Sequence, residues 1–315
     1  MTASLEAPPR GGLGRLVVVA VVFGLFAPAP LFGIPLAALL VASRAETRVE
    51  WVVATVGGGL SLWWLLLPGE LPEQVVRTAA VLSAAAFVAA SLGTRATFIH
   101  RALLAVAVAT LAIATLFLFH GWSWDELRWW VEYRTGYATR LAFDQLRATG
   151  GAGGVASEQL DAWVSGSVAF VANNFPALVA LQIVGGLAIA AALYYRLASR
   201  PRGLAPGPLS EFRFTEHLGW AAAIPLVVVL LPRLASWKVA ATNLLLLVGT
   251  LYAVRGAAVA AFAASAAGAG PLATALAVVA SIFMLPVALG GIILLGVLDT
   301  GVDLRARWRK PPARD

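Results

Sequence analysis

Cysteine is absent from this 315-residue chain. That excludes disulfides, thiolate metal sites and a thiol nucleophile. Histidine is scarce: His100, His120 and His217 lie far apart, without the HExxH spacing of a zinc helix. No metal and no cofactor is expected. Charge is the third shortage, with 12% of residues charged and 60% hydrophobic. A soluble domain averages about a quarter charged and about half apolar. Too little polar surface exists to cover a water-soluble globule of this length, so the composition predicts an integral membrane protein.

The basic excess, a net charge of +7, does not point to nucleic acid. Lys and Arg stand in short clusters at the ends of apolar runs, as the flanks of membrane spans require. No basic stripe is interleaved with exposed aromatics. The bilayer is the partner that this composition demands.

A spanning helix needs about 20 mostly apolar residues. Such runs lie at 16–41, 51–67, 74–92, 98–119, 175–197, 218–231, 239–263 and 272–298. The first contains Pro28, Pro30 and Pro35, which predict a kink or a division into two short helices. Ala27-Pro28-Ala29 imitates a signal cleavage site. Pro30 directly after it, and the apolar run resuming at Leu31, predict an uncleaved segment instead. The fold class is therefore an all-α polytopic membrane helix bundle of about eight spans. Four fall in 1–120 and four in 173–300, followed by a basic tail, 301–315. Eight spans and the Lys/Arg count put both termini on the cytoplasmic side. The tail (Arg305, Arg307, Arg309, Lys310, Arg314) and the long loop supply most of that bias. Two spans within 16–41 would invert everything after them.

Residues 121–172 depart from this pattern. Charges recur every few residues, and Gly150, Gly151, Gly153 and Gly154 mark a linker without the context of a phosphate-binding loop. Before the linker, Leu127, Trp130, Val131, Tyr137, Ala138 and Leu141 recur at helical spacing. Arg128, Glu132, Arg140 and Asp144 fall largely off that face. With Trp122, Trp124 and Trp129 at its start, the segment predicts an interfacial amphipathic helix. A soluble helix packed on a small domain fits the same pattern.

One permanent charge, Arg255, sits inside the run 239–263, within LYAVRGAAVAAF. A central arginine costs about 2.5–3.5 kcal/mol on insertion scales. The ten Leu, Val and Phe residues of that run return about 3–6 kcal/mol. The helix can insert, with little margin, if the guanidinium faces the bundle interior and finds a partner. Because 232–238 is short, this run is antiparallel to 218–231, and its later end is level with that run's beginning. Glu216 and His217 stand there and are the expected partners. Asp299 closes the last run at the opposite membrane face and is expected to be out of reach. Arg255, Glu216, His217, Tyr252 and Asn243 form the candidate ligand-binding group. They read either as an anion-binding or gating site, or as a structural ion pair.

A second polar cluster is expected at the other face, from Asn173, Asn174, Asp299, Asp303 and Arg305. Asp299 and Asp303 share a helix face if the helix continues. Paired carboxylates can hold a cation or share a proton, and Arg305, Arg307 and Arg309 can neutralise them instead. Asp299-Thr300-Gly301 matches the aspartic-protease tripeptide, yet that chemistry needs two such loops in a β-fold. No GxSxG, Walker or Rossmann pattern occurs, so no catalytic residue is expected. Gly57-Gly58-Gly59, Gly185-Gly186 and the small residues of 256–270 predict close helix packing.

In order, FRFTEHLGW (212–220), Asn243 with LYAVRGAAVAAF, and LGVLDTGVDLRAR (295–307) resemble the YybS-like family of bacterial multi-spanning membrane proteins. PALVALQ after Phe175 and the proline-rich first run also fit. The resemblance implies the inner membrane. It also implies a glutamine where this chain has Arg255, followed by the glycine seen here as Gly256, so a strict need for positive charge is not implied. The final helix of that family closes on an Asp and an Asp-x-Arg pattern, here Asp299 and Asp303-Leu304-Arg305. The helical pattern is distantly similar to the substrate-binding components of energy-coupling-factor vitamin transporters, an analogy of fold rather than of ligand.

The functional expectation is a non-enzymatic small-molecule binding or transport protein with a polar site near Arg255 and Glu216. The alternative is a scaffold that docks a membrane or cytoplasmic protein through the Trp-rich loop and basic tail. An intramembrane enzyme ranks last, because no nucleophile–base or metal constellation is visible.

Overall fold

A computed structural model describes residues 13–148, 157–214 and 218–308. Among the described residues all regular structure is helical, and six helices are long and apolar enough to cross a membrane. The chain is an all-α, multi-pass membrane helix bundle. It divides into two compact units, Met1–Pro206 and Gly207–Asp315.

In the first unit the proline-rich run is two helices, α1 (Leu13–Phe26) and α2 (Pro30–Ala42). Pro30 opens α2, where its missing N–H has no partner to lose. α3 (Arg48–Leu66), α4 (Leu71–Gly93) and α5 (Phe98–His120) follow the next three runs. α6 (Trp124–Ala148) is the expected amphipathic helix, and α7 (Ser157–Asn173) is a further helix that the loop pattern did not disclose. The Gly-rich linker between them lies outside the described residues. α8 (Phe175–Leu197) begins after a single break at Asn174.

The core of this unit gathers Leu39 and Leu40 of α2, Phe87 of α4, Ala105 of α5, and Ile183 and Leu187 of α8. A Cβ on Gly186 would stand 2.7 Å from the Leu31 carbonyl oxygen, so the Gly185-Gly186 interruption lets α8 lie against α2. α6 buries Leu127 and Val131 against Leu71 and Val75 of α4 and Ala172 of α7. Its predicted apolar face is buried only that far, since Tyr137 and Leu141 are 65% and 49% exposed. Arg134 pairs with Glu70 at 2.7 Å and with Glu73, pinning α6 across the start of α4.

The second unit opens with a 3₁₀ turn, Leu209–Glu211, and continues through α9 (Leu218–Leu230), a 3₁₀ stretch Pro232–Trp237 and α10 (Lys238–Ala266). The run 272–298, read above as one span, is instead α11 (Pro271–Phe283) and α12 (Leu285–Val302). Pro286 offers no N–H to the carbonyl of Ile282, and its ring crowds that turn. The backbone leaves helical geometry at Met284 (φ −104°, ψ 33°). A short α13 (Leu304–Trp308) follows.

Candidate functional site

Arg255 is one of 29 residues of α10 and is 5% exposed. Glu216 and His217, its expected partners, lie outside the described residues. The carboxylate that Arg255 meets is Asp299. Nε donates to Oδ2 at 2.9 Å, and Nη2 donates to the Asp299 backbone carbonyl at 3.0 Å. Nη1 reaches the Phe214 carbonyl at 3.4 Å, and the guanidinium lies 5.0 Å over the Phe214 ring.

The expectation that Asp299 is out of reach is therefore overturned, for a geometric reason. α10 and α12 run antiparallel, with Tyr252 against Gly296 and Gly256 against Ile292. On that register Asp299 is level with Gly249, six residues before Arg255, or about 9 Å at 1.5 Å per residue. Helical side chains lean toward the N-terminus of their helix, and the arginine arm covers the gap. The break at Met284 matters too. α12 is a short helix beside the later part of α10, not the end of a long rod.

Asp299 is shared. Arg305, 1% exposed, donates through Nη2 to Oδ2 at 2.7 Å and through Nε to Oδ1 at 3.4 Å. Its remaining donors hold the carbonyls of Ser210 (2.8 Å) and Phe212 (3.0 Å). Two guanidinium groups thus face one carboxylate. The excess positive charge is spread over backbone carbonyls of the segment before α9. The two polar groups drawn from the sequence are not separate here: Asp299 and Arg305 belong with Arg255.

The other expected site residues distribute as follows. Tyr252 is buried and packs edge-to-face on Phe214, ring centroids 5.1 Å apart. Asn243 precedes Arg255 by twelve residues, about 18 Å along the helix, and its Nδ2 donates to Val239 on its own helix. Asp303 does not continue a carboxylate face, because it caps α12 with φ 44° and ends the helix. It accepts two bonds from Arg213, at 3.0 and 2.8 Å. Asn173 and Asn174 lie in the first unit, where Asn174 is buried and its Nδ2 donates to Phe170.

The Arg213 hydrogen bonds hold the Asp303 carboxyl below its ordinary value of 3.8. A depressed carboxylate stabilises the fold above its unfolded pKa and loses that effect as pH falls through its lower folded value. Arg213→Gln should therefore lower the melting temperature slightly at pH 7, and the difference should shrink below about pH 4. Thermal scans of both proteins at several pH values check this, and an unchanged difference in acid would contradict it.

What brings α10 and α12 together is a pair of glycines. A Cβ on Gly256 would fall 1.8 Å from the Ile292 carbonyl oxygen, and one on Gly296 would fall 2.1 Å from that of Tyr252. The two backbones touch, leaving no room for any side chain.

The first unit holds a second buried polar arrangement that the sequence reading did not single out. Glu50, 1% exposed, accepts from the amides of Glu46 (2.6 Å), Thr47 (3.3 Å) and Ser199 (2.6 Å). Arg101, 2% exposed, donates to the Leu204 carbonyl at 2.7 Å. The Tyr194 hydroxyl accepts from the Arg202 amide, and the Tyr195 hydroxyl donates to its carbonyl, both at 2.8 Å. Together these groups strap the segment after α8 to α3 and α5. Thr47-x-x-Glu50 was legible as a helix-capping box; nothing in sequence marked Arg101.

The first unit also contains an apolar cavity of about 460 Å³ walled by α4, α5, α6 and α8. Ala79, Val106, Ile113, Trp124, Val179 and Ile183 are among its lining. A wider groove of about 1020 Å³ runs between α6 and α7, past Trp129, Tyr133 and Tyr137.

A family profile described as "Predicted membrane protein (DUF2232)" matches residues 15–300. The chain belongs to the DUF2232 family. No curated protein and no solved structure matches it. Of the polar cluster in this DUF2232 protein, Arg255 and Asp299 fall inside the matched residues and Arg305 beyond them. Arg255 and Arg305 give their hydrogen bonds to Asp299 and to backbone carbonyls. That satisfied geometry suits holding helices together better than grasping an anion.

Proposed function

We propose that this protein is a non-catalytic membrane protein that binds, and in a transport role passes on, a small apolar or amphipathic molecule. The observation that carries this reading is the cavity in the first unit. At about 460 Å³ it falls in the size range of small-molecule sites, which are mostly apolar with few polar groups. The reading keeps the general sense of the likeness to YybS-like proteins and to vitamin-transporter binding components, a helix bundle around a ligand. It moves the site away from Arg255, whose donors serve Asp299 and backbone carbonyls. We put both termini on the cytoplasmic side on the Lys/Arg bias counted for eight spans, and the protein in the inner membrane on the likeness to YybS-like proteins.

Mass spectrometry of a solvent extract of the purified protein tests the reading, together with thermal shifts against a panel running from polar metabolites to amphiphiles. The expected result is a molecule held in stoichiometric amount, or a saturable stabilisation by some panel member. A protein that carries nothing, and that no panel member stabilises, would overturn it.

The scaffold reading is favoured by one observation. Trp129, Tyr133 and Tyr137 on α6 are 56%, 57% and 65% exposed, an aromatic row of the kind that anchors interfaces. It predicts that Trp129→Ala with Tyr133→Ala abolishes a cellular phenotype while ligand binding in the cavity is unchanged.

A further inference from the structure

The cavity in the first unit has a position along its helices as well as a volume. Its lining reaches Ala79 on α4 and Ile183 on α8. Each is the ninth residue of a helix of 23. On α5, a third helix of 23 residues, the lining runs from Val106 to Leu118, close to that helix's end. The cavity therefore begins where α4 and α8 start and α5 ends, and it stops near the middle of all three. Val106 to Leu118 is twelve steps, about 18 Å. Half of a bilayer's hydrocarbon core is about 15 Å. All three helices are long and apolar enough to cross a membrane, so the space is one leaflet deep.

Its chemistry is equally restrictive. Among the described residues no charged side chain lines it, and the polar side-chain groups are the Thr110 hydroxyl and the Trp124 indole N–H. At the helix-end limit Trp124 and Leu127 of α6 lie across it, in the position that an indole takes at the membrane–water boundary. Thr110, Ala114 and Leu118 line it yet are exposed, Leu118 by 85%. They recur every four residues, one stripe of α5. The mouth therefore opens sideways along that stripe into the bilayer.

We propose that the cavity holds a single hydrocarbon chain of an amphiphile, entering laterally from one leaflet with its polar end beside Trp124. This rests on the binding reading above and narrows it. A polar metabolite finds neither charge nor a sufficient set of hydrogen-bond partners there. A chain loses nothing on entry, and one leaflet's depth sets its length. A free fatty acid and an acyl chain of an intact phospholipid share this chemistry.

The test titrates the full-length protein in detergent with a fluorescent polyene fatty acid, and separately with a phospholipid carrying the same polyene chain. Energy transfer from tryptophan is the readout. The expected result is saturable one-to-one binding of at least one probe, with transfer reduced in Trp124→Phe. Ala114→Phe, which blocks the exposed mouth at little cost to the fold, should weaken binding about tenfold or more. Val108→Phe, at an exposed position of α5 on the side turned away from the lining residues, should leave it unchanged. The arm that saturates identifies whether the chain arrives free or esterified. Unsaturable partitioning, equal in wild type and Ala114→Phe, overturns the proposal. If a polar panel member stabilises the protein and neither chain saturates, the binding reading stands and the chain assignment falls.

Discussion

Asp299→Leu should be the most destabilising single change within the polar cluster, costing about 3–5 kcal/mol, the penalty for leaving buried charge unpaired. It strips the carboxylate from two guanidinium groups that are 5% and 1% exposed. Arg255→Leu should cost less, because Arg305 still neutralises Asp299 at 2.7 Å. Arg255→Gln should be milder again, since its amide can donate to the same carboxylate. Combining Asp299→Leu with Arg255→Leu should recover part of the loss, because one stranded charge disappears with its partner. Thermal unfolding in one detergent ranks the four proteins. An Asp299→Leu protein as stable as wild type would remove the structural account of Arg255 and reopen its use as a ligand site.

Gly256→Val should yield little or no folded protein. Any Cβ at Gly256 lands 1.8 Å from a backbone oxygen, and backbone cannot swing aside as a side chain can. Overpacking within a core typically costs about 1–3 kcal/mol; forcing two whole helices apart belongs above that range. Gly296→Ala should behave similarly, at 2.1 Å from the Tyr252 carbonyl. Gly249→Ala is the control on the same helix, with nothing within 4 Å. It should gain up to about 1 kcal/mol from helix propensity. Yield and melting temperature after identical purification decide the matter, and a well-folded Gly256→Val protein would refute the close crossing of α10 and α12.

Hydropathy made the membrane class and most helices legible, because an apolar run of membrane length has few other uses. It was less able to divide runs. Pro28 and Pro30 announced the break between α1 and α2, whereas Pro286 received no weight and the break at Met284 went unseen. α7 was hidden because its composition is mixed, and its pairing with α6 is tertiary. Arg255 was found by its cost, but its partner could not be. Choosing between Glu216 and Asp299 needs the α10–α12 register, and that register is set by two glycines whose role emerges only when the backbones meet. Glu50 and Arg101 escaped for a related reason. Each stands near a helix start, where charge is ordinary, and only the fold turns them inward.

The sharing of Asp299 between Arg255 and Arg305 also has a temporal side. Arg255 lies 44 residues ahead of the aspartate that neutralises it. At synthesis rates of about 5–20 residues per second, the carboxylate follows roughly 2–9 s after the arginine. α10 must therefore enter the bilayer on its own apolar residues, with a thin margin, and wait. Its permanent seat is completed only when α12 has been made, so a protein truncated before Asp299 would present an unpaired intramembrane charge to the machinery that removes unfinished membrane proteins.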